Sequence, residues 1–200
     1  MGARSLIGLT GGIAAGKSEA LRAFERLGAE TISTDEVARE LLRTPDVLGR
    51  LTERWGNEVA PDGEVDRAKV AEIVFASPKE LAWLESELHP LVGAHVVAWA
   101  GALPADATLA VVEVPLLFEA GMGELFDAVG AVVAPDEMRQ EREQGRDLAA
   151  LEGRSARQLS QDEKAERASH VIVNDGSLAD LESKITALVA RLTADAEAKG

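Results

Sequence analysis

Short apolar runs alternate along the chain with longer stretches in which apolar residues recur every three or four positions. The runs cover residues 5–10, 31–33, 108–114, 128–134 and 170–173, and several are rich in Val and Ile. Runs of that length and composition predict strands covered on both faces, as in a parallel sheet. Between them, residues 17–27 form a helical pattern that stops at Gly28. Residues 35–43 start on the capping type Asp35, and residues 135–146 open on Pro135, a first-turn residue. Residues 178–193 place Leu181, Ile185, Leu188 and Leu192 on one face at near-helical spacing. Five strands alternating with helices predict an α/β layered fold with a five-stranded parallel sheet.

Residues 46–102 break this rhythm. They hold helical patterns and turns such as Pro61-Asp62-Gly63 but no convincing strand, and read as a helical insertion beside the sheet. Within it, Trp83, like Trp99, reads as a core residue, and Asp66-Arg67 as an ion pair organising the insertion. Residues 139–167 form a charged segment with Arg139, Arg142, Arg146, Arg154, Arg157, Lys164 and Arg167. The tail, residues 194–200, is small and charged and is expected to fray.

Composition narrows the function classes. With 200 residues, 46 % apolar and 28 % charged, the chain is long enough for a proper core and ordinary for a globular protein. No apolar run approaches the roughly 20 residues of a membrane span, and no cysteine is present, which excludes disulfides, thiolate metal sites and a Cys nucleophile. The short apolar stretch at the N-terminus leads straight into a glycine loop that a cleaved leader would remove, so a cytoplasmic protein is expected. A net charge of −14 repels nucleic acid and anionic lipid at long range and argues against either as a general partner. Polyanionic ligands would need basic groups concentrated locally, as they are in the glycine loop and the arginine segment.

That glycine loop carries the clearest chemistry. Gly11-x4-Gly16-Lys17-Ser18 matches the Walker A pattern, follows a predicted strand and precedes a predicted helix. A chance match in a chain of this length is on the order of 1 in 100 from average residue frequencies. Glycines let successive backbone N–H groups of Gly11, Gly12, Ile13, Ala14, Ala15 and Gly16 turn toward phosphate oxygens, and the helix start adds partial positive charge. Lys17 would reach the β- and γ-phosphates of ATP, and the Ser18 hydroxyl would bind Mg²⁺. Glu19 places a carboxylate beside this cradle, where an outward orientation is expected. The chain contains no Asn-Lys-x-Asp guanine signature, which leaves a small-molecule kinase as the better reading over a GTPase.

The ordered landmarks resemble the dephospho-coenzyme A kinases. They begin with Ile7-Gly-Leu-Thr-Gly-Gly-Ile-x-x-Gly-Lys-Ser18, then Asp35 with Ala38-Arg39-Glu40-Leu41, Asp62-Gly63-x-x-Asp66-Arg67, Val74-Phe75 and His89-Pro90. Val114-Pro115-Leu116-Leu117-Phe118-Glu119, Gln158 and Val171-Ile172-x-Asn174-x-Gly176 follow. Two departures stand out: Ser33-Thr34-Asp35 keeps only the second acid of the usual pair, and Ser169-His170 lacks the usual Asp. The resemblance implies transfer of the ATP γ-phosphate to the ribose 3′-hydroxyl of dephospho-CoA. It also implies a three-layer P-loop core (1–45, 103–138 and 168–200), a helical CoA-substrate domain (46–102) and a lid (139–167). A related P-loop kinase acting on another nucleoside or nucleotide, or a nucleotide-binding regulatory module without turnover, are the competing classes.

The candidate residues follow from position and resemblance together. Asp35, at the C-terminal edge of the second strand, suits a carboxylate that orients the substrate hydroxyl and accepts its proton, or one that caps the next helix. Arg142 is the candidate catalytic lid arginine, with Arg146 and Arg154 behind it; pairing with neighbouring glutamates is the plain alternative. Glu113 ends a strand and would hold Mg²⁺ directly or through water, or serve structurally. Thr10 contacts substrate phosphate or merely ends its strand. Asn174 reads as an adenine contact or a turn residue, and His89 as a lining residue of the CoA site or a helix break before Pro90. Pro115 and Leu116 join the substrate contacts through the resemblance.

Overall fold

The computed structural model describes residues 4–143 and 158–199. Its centre is a five-stranded parallel sheet in the order β2-β3-β1-β4-β5. The strands are β1 (Ser5–Gly11), β2 (Glu30–Ser33), β3 (Leu109–Glu113), β4 (Ala128–Val133) and β5 (His170–Val173). Each agrees with its apolar run to within a residue at either end. β1 lies between β3 and β4, with Leu9 in register with Glu113 on one side and Gly130 on the other. The chain thus leaves β1 at the point where strand order reverses, the position at which open α/β sheets bind ligands.

Helices cover both faces. On one, α1 (Lys17–Arg26) buries Ala20, Ala23 and Phe24, and α8 (Leu178–Lys199) buries Leu181, Ile185, Leu188 and Leu192 against Ile7, Leu9, Val111 and Val132. α8 continues through the tail expected to fray, because its apolar stripe anchors four turns and helix-favouring Ala and Glu carry it on. On the other face, Val112, Val114, Leu117 and Val129 meet Val96, Trp99, Phe118 and Phe126.

α2 (Thr34–Leu41) follows β2 and leads into the insertion, which contains α3 (Pro45–Trp55), α4 (Arg67–Ala76) and α5 (Pro78–Ala102), with a 3-10 turn at Asn57–Val59 and no strand among its residues. The insertion has its own core of Val47, Leu51, Val59, Val70, Val74, Leu84 and Leu88, into which Leu41 and Leu42 reach from α2. Trp83 is partly buried there, edge-on to Trp55 at 5.0 Å, and Trp99 packs against the sheet. Asp66 forms no ion pair with Arg67 among the described contacts; its Oδ1 accepts from the Ala68 and Lys69 amides and caps α4. His89-Pro90 does not break the chain either. α5 runs through Pro90, since a proline removes one hydrogen bond and the apolar contacts of Leu84, Leu88 and Leu91 hold the helix on both sides. The Arg4 guanidinium stops α5 by donating to the Ala100, Leu103, Pro104 and Ala107 carbonyls. After β4 come α6 (Asp136–Glu143) and α7 (Gln161–Arg167).

Candidate active site

The loop between β1 and α1 has the form a phosphate cradle needs. Ala14 and Gly16 adopt left-handed φ values of 55° and 99°, so the peptide planes turn and several amides converge. Only glycine suits position 16, because a Cβ there would strike the Asn174 amide. Only glycine suits position 11, where a Cβ would overlap the Val132 carbonyl of β4. Lys17 Nζ folds back onto the loop, donating to the Gly11 carbonyl at 3.2 Å and the Gly12 carbonyl at 2.9 Å. Ser18 follows in the first turn of α1. Glu19 faces along the helix to Arg22 (3.2 Å) and Arg26 (3.4 Å), so its carboxylate stays off the cradle, as expected.

Two side chains distant in sequence buttress the loop. Asn174, buried just after β5, donates from Nδ2 to the Ala15 carbonyl at 2.9 Å, and its own amide donates to the Val133 carbonyl. Its amide nitrogen therefore shapes the loop rather than forming a simple turn. Arg142 on α6 donates from Nη1 to the Ala14 and Ala15 carbonyls at 3.2 and 3.4 Å. This seats the guanidinium on the loop, with no ion pair to a glutamate among the described residues. Arg146 and Arg154 lie outside the described residues.

Two carboxylates border the same edge. Glu113 ends β3 in register with Ser33 of β2 and is buried. Burial pushes its carboxyl above the ordinary range. A hydrogen bond with Ser33 and the charge of Lys17 pull it down, while Asp35 and Glu36 push it up. Asp35 stands in the first turn of α2, whose N-cap is Ser33 and carries no side-chain cap bond. Asp35 is therefore not the N-cap: the helix begins two residues earlier than a cap at Asp35 would set it, with the Thr34 hydroxyl tied to the Glu113 carbonyl at 2.9 Å.

Thr10 is different. It is fully buried, and its hydroxyl donates to the Pro115 carbonyl at 3.2 Å. This bond ties β1 to the turn after β3. Pro115 and Leu116 begin that turn, half-buried beside the cradle. His89 is exposed on α5 in the insertion. Sequence analysis placed Lys164 in the charged segment 139–167. Its side chain is instead fully buried, donating to the Pro115 carbonyl and pairing with Glu119 at 3.1 Å. Burial pulls its ammonium below the ordinary lysine range, and Glu119 counters this. Glu119 also accepts from the Leu159 amide at 2.8 Å. Gln161, likewise missed, closes a two-bond clasp on the Ala134 amide and carbonyl. The only sequence sign of either was the apolar Val-Pro-Leu-Leu-Phe run leading to Glu119.

A lysine on a glycine loop, an arginine seated on its carbonyls and an acidic edge two strands wide make a site for moving a phosphoryl group between oxygens. The family model for dephospho-CoA kinase matches residues 5–180. The chain belongs to the dephospho-CoA kinase family. It is 40 % identical to the dephospho-CoA kinase of Deinococcus radiodurans over 93 % of this chain and 91 % of that protein. With the Streptomyces avermitilis enzyme it shares 40 % over 90 % and 89 %. The dephospho-CoA kinase of Campylobacter jejuni superposes with a TM-score of 0.71 at 25 % identity, covering 96 % of this chain and 99 % of that one. A Thermus thermophilus crystal structure gives 0.76 at 33 % identity over 94 % and 98 %. Shikimate kinase from Acinetobacter baumannii, at 16 % identity and a TM-score of 0.54, shares the fold. The chain is a kinase of the P-loop class, and among its described residues no helix is long and apolar enough to cross a membrane.

Proposed function

We propose that this kinase transfers the γ-phosphoryl group of ATP to the ribose 3′-hydroxyl of dephospho-CoA in the cytoplasm, yielding coenzyme A and ADP. The observation that carries the reading is that Lys17 and Asp35 both act on the buried Glu113, with Arg142 seated on the same glycine loop as Lys17, in a chain of this family. Asp35 accepts the hydroxyl proton as the 3′-oxygen attacks phosphorus and the bond to the β-phosphate oxygen breaks. Lys17 leaves the Gly11 and Gly12 carbonyls for the phosphates. The cradle amides and the cations share the charge on the transferring oxygens. Residues 46–102 serve as the substrate domain, with His89 on its surface and Pro115 and Leu116 at the border. Residues 139–167 serve as the lid, and the side-chain oxygen of Asn174 serves adenine.

Magnesium fits the donors at hand. The Ser18 hydroxyl and the Glu113 carboxylate are hard oxygen ligands, two of the few that a Mg²⁺ ion takes from protein when phosphates and water complete its shell. Among the described residues no group of three or more His, Cys, Asp or Glu is arranged to hold a metal on its own, which suits an ion that arrives with ATP. Bound there, it would neutralise phosphate charge.

The test is an ADP-release assay with dephospho-CoA, adenosine, AMP and pantetheine as separate acceptors. Turnover with dephospho-CoA well above the others is expected. Release that ignores dephospho-CoA, or that favours AMP or adenosine, would overturn the reading in favour of another P-loop kinase.

A further inference from the structure

Beside the phosphate cradle stands a cation with no part in the transfer so far. Arg139 lies one turn before Arg142 on α6, three positions away and therefore on the same helix face. Its Nη1 reaches the first turn of the loop. A Cβ on Gly12 would come within 3.2 Å of it and within 3.3 Å of Gln161 Oε1, so the absent side chain at position 12 makes room for the guanidinium. The Gly12 carbonyl is also where Lys17 Nζ rests, at 2.9 Å. Two cations thus flank one glycine, on a chain whose net charge is −14.

Among the described residues Arg139 has few partners. Its Nε is buried with no hydrogen-bond partner. Its ion pair is to Asp136, one turn back, at 3.4 Å, and the Asp136 side chain is 72 % exposed. A pair of that length with one exposed member holds little. A guanidinium carries five donors in a fixed fork suited to phosphate oxygens, and a buried donor without a partner is a cost that a ligand can remove. Arg142, by contrast, has the Ala14 and Ala15 carbonyls as acceptors.

We propose that Arg139 is a second arginine of the transfer site, binding the terminal phosphate of ATP beside Lys17 while Arg142 braces the loop. The proposal rests on ATP being the phosphoryl donor. It predicts an interaction that exists with a triphosphate and is absent with a diphosphate, because the group it meets is the one transferred. A purely structural Arg139 would support both nucleotides equally.

The experiment measures affinity for ATP and for ADP by calorimetry, without acceptor, in the wild type and in R139Q and R139K. Glutamine cannot supply the charged hydrogen bonds of the guanidinium, so R139Q should bind ATP about 10- to 100-fold more weakly and ADP less than about twofold more weakly. R139K keeps the charge without the fork and should fall between. Thermal unfolding of each unliganded variant checks the fold, and R139K carries the comparison if R139Q is unstable. Equal weakening for ATP and ADP, or none for either, would overturn the proposal. A wild-type chain that binds no ATP would instead bring down the functional reading on which the proposal rests.

Discussion

Replacing Lys164 by Met is the most demanding test of how the core around the site is held. In the native chain the ammonium is fully buried between the Pro115 carbonyl and Glu119. Methionine fills most of the volume, so the cavity term is small. The Pro115 carbonyl keeps the Thr10 hydroxyl, and Glu119 Oε1 keeps the Leu159 amide. What loses its partner is the carboxylate charge, with Oε2 already buried and unbonded. Removing one member of a buried pair costs about 3–5 kcal/mol. K164M should therefore lose about 3–5 kcal/mol at pH 7. The double variant K164M/E119Q should return to within about 1 kcal/mol of wild type. Urea unfolding should be followed by circular dichroism, because Trp55 and Trp83 report the core of the insertion while Trp99 alone packs against the sheet. A loss under about 1 kcal/mol, or a double variant no more stable than K164M, would refute the reasoning.

D35N should lower turnover by about 10²- to 10⁴-fold while leaving ATP affinity within about twofold; steady-state rates and calorimetry together decide it, and an unchanged rate would remove Asp35 as base. Glu113 carries a stability cost. Since burial raises its carboxyl in the folded state, the native chain holds a proton more tightly than the unfolded one. Its contribution to stability therefore falls as pH rises from the ordinary carboxylate range through the raised value. E113Q should be more stable than wild type near pH 8, with a flatter stability profile above pH 4, yet less active with magnesium; thermal unfolding across pH reads this. G16A forces a left-handed alanine, at about 1–2 kcal/mol, and pushes Asn174 from the Ala15 carbonyl. It should weaken nucleotide binding more than it lowers the urea midpoint.

The sheet was legible because buried parallel strands are nearly pure apolar runs; the runs at 128–134 and 170–173 needed no tertiary information. The cradle was legible because its glycines answer to backbone geometry that only glycine satisfies, as at Gly11 and Gly16. Elements that depend on partners distant in sequence were not. Lys164 sits in a segment dense with arginine and glutamate, and nothing local marks it as buried; its acceptors are 45 and 49 positions away in Glu119 and Pro115. Thr10 lies within β1 rather than ending it, and its bond to the Pro115 carbonyl depends on a partner 105 positions away. The Asp66 cap and the passage of α5 through Pro90 show local rules losing to amides and apolar contacts supplied by the fold. Arg139 was one of seven cations in a row, and only the space over Gly12 distinguishes it.

The central claim, that this site moves the ATP γ-phosphate to one hydroxyl of a CoA precursor, is tested most directly by identifying the product. Phosphorus NMR and mass spectrometry of a reaction with ATP, magnesium and dephospho-CoA should show a single added phosphoryl group, as a monoester on the ribose 3′-oxygen, in step with ADP. Phosphate found on the pantetheine end, or ADP formed with inorganic phosphate alone, would contradict it.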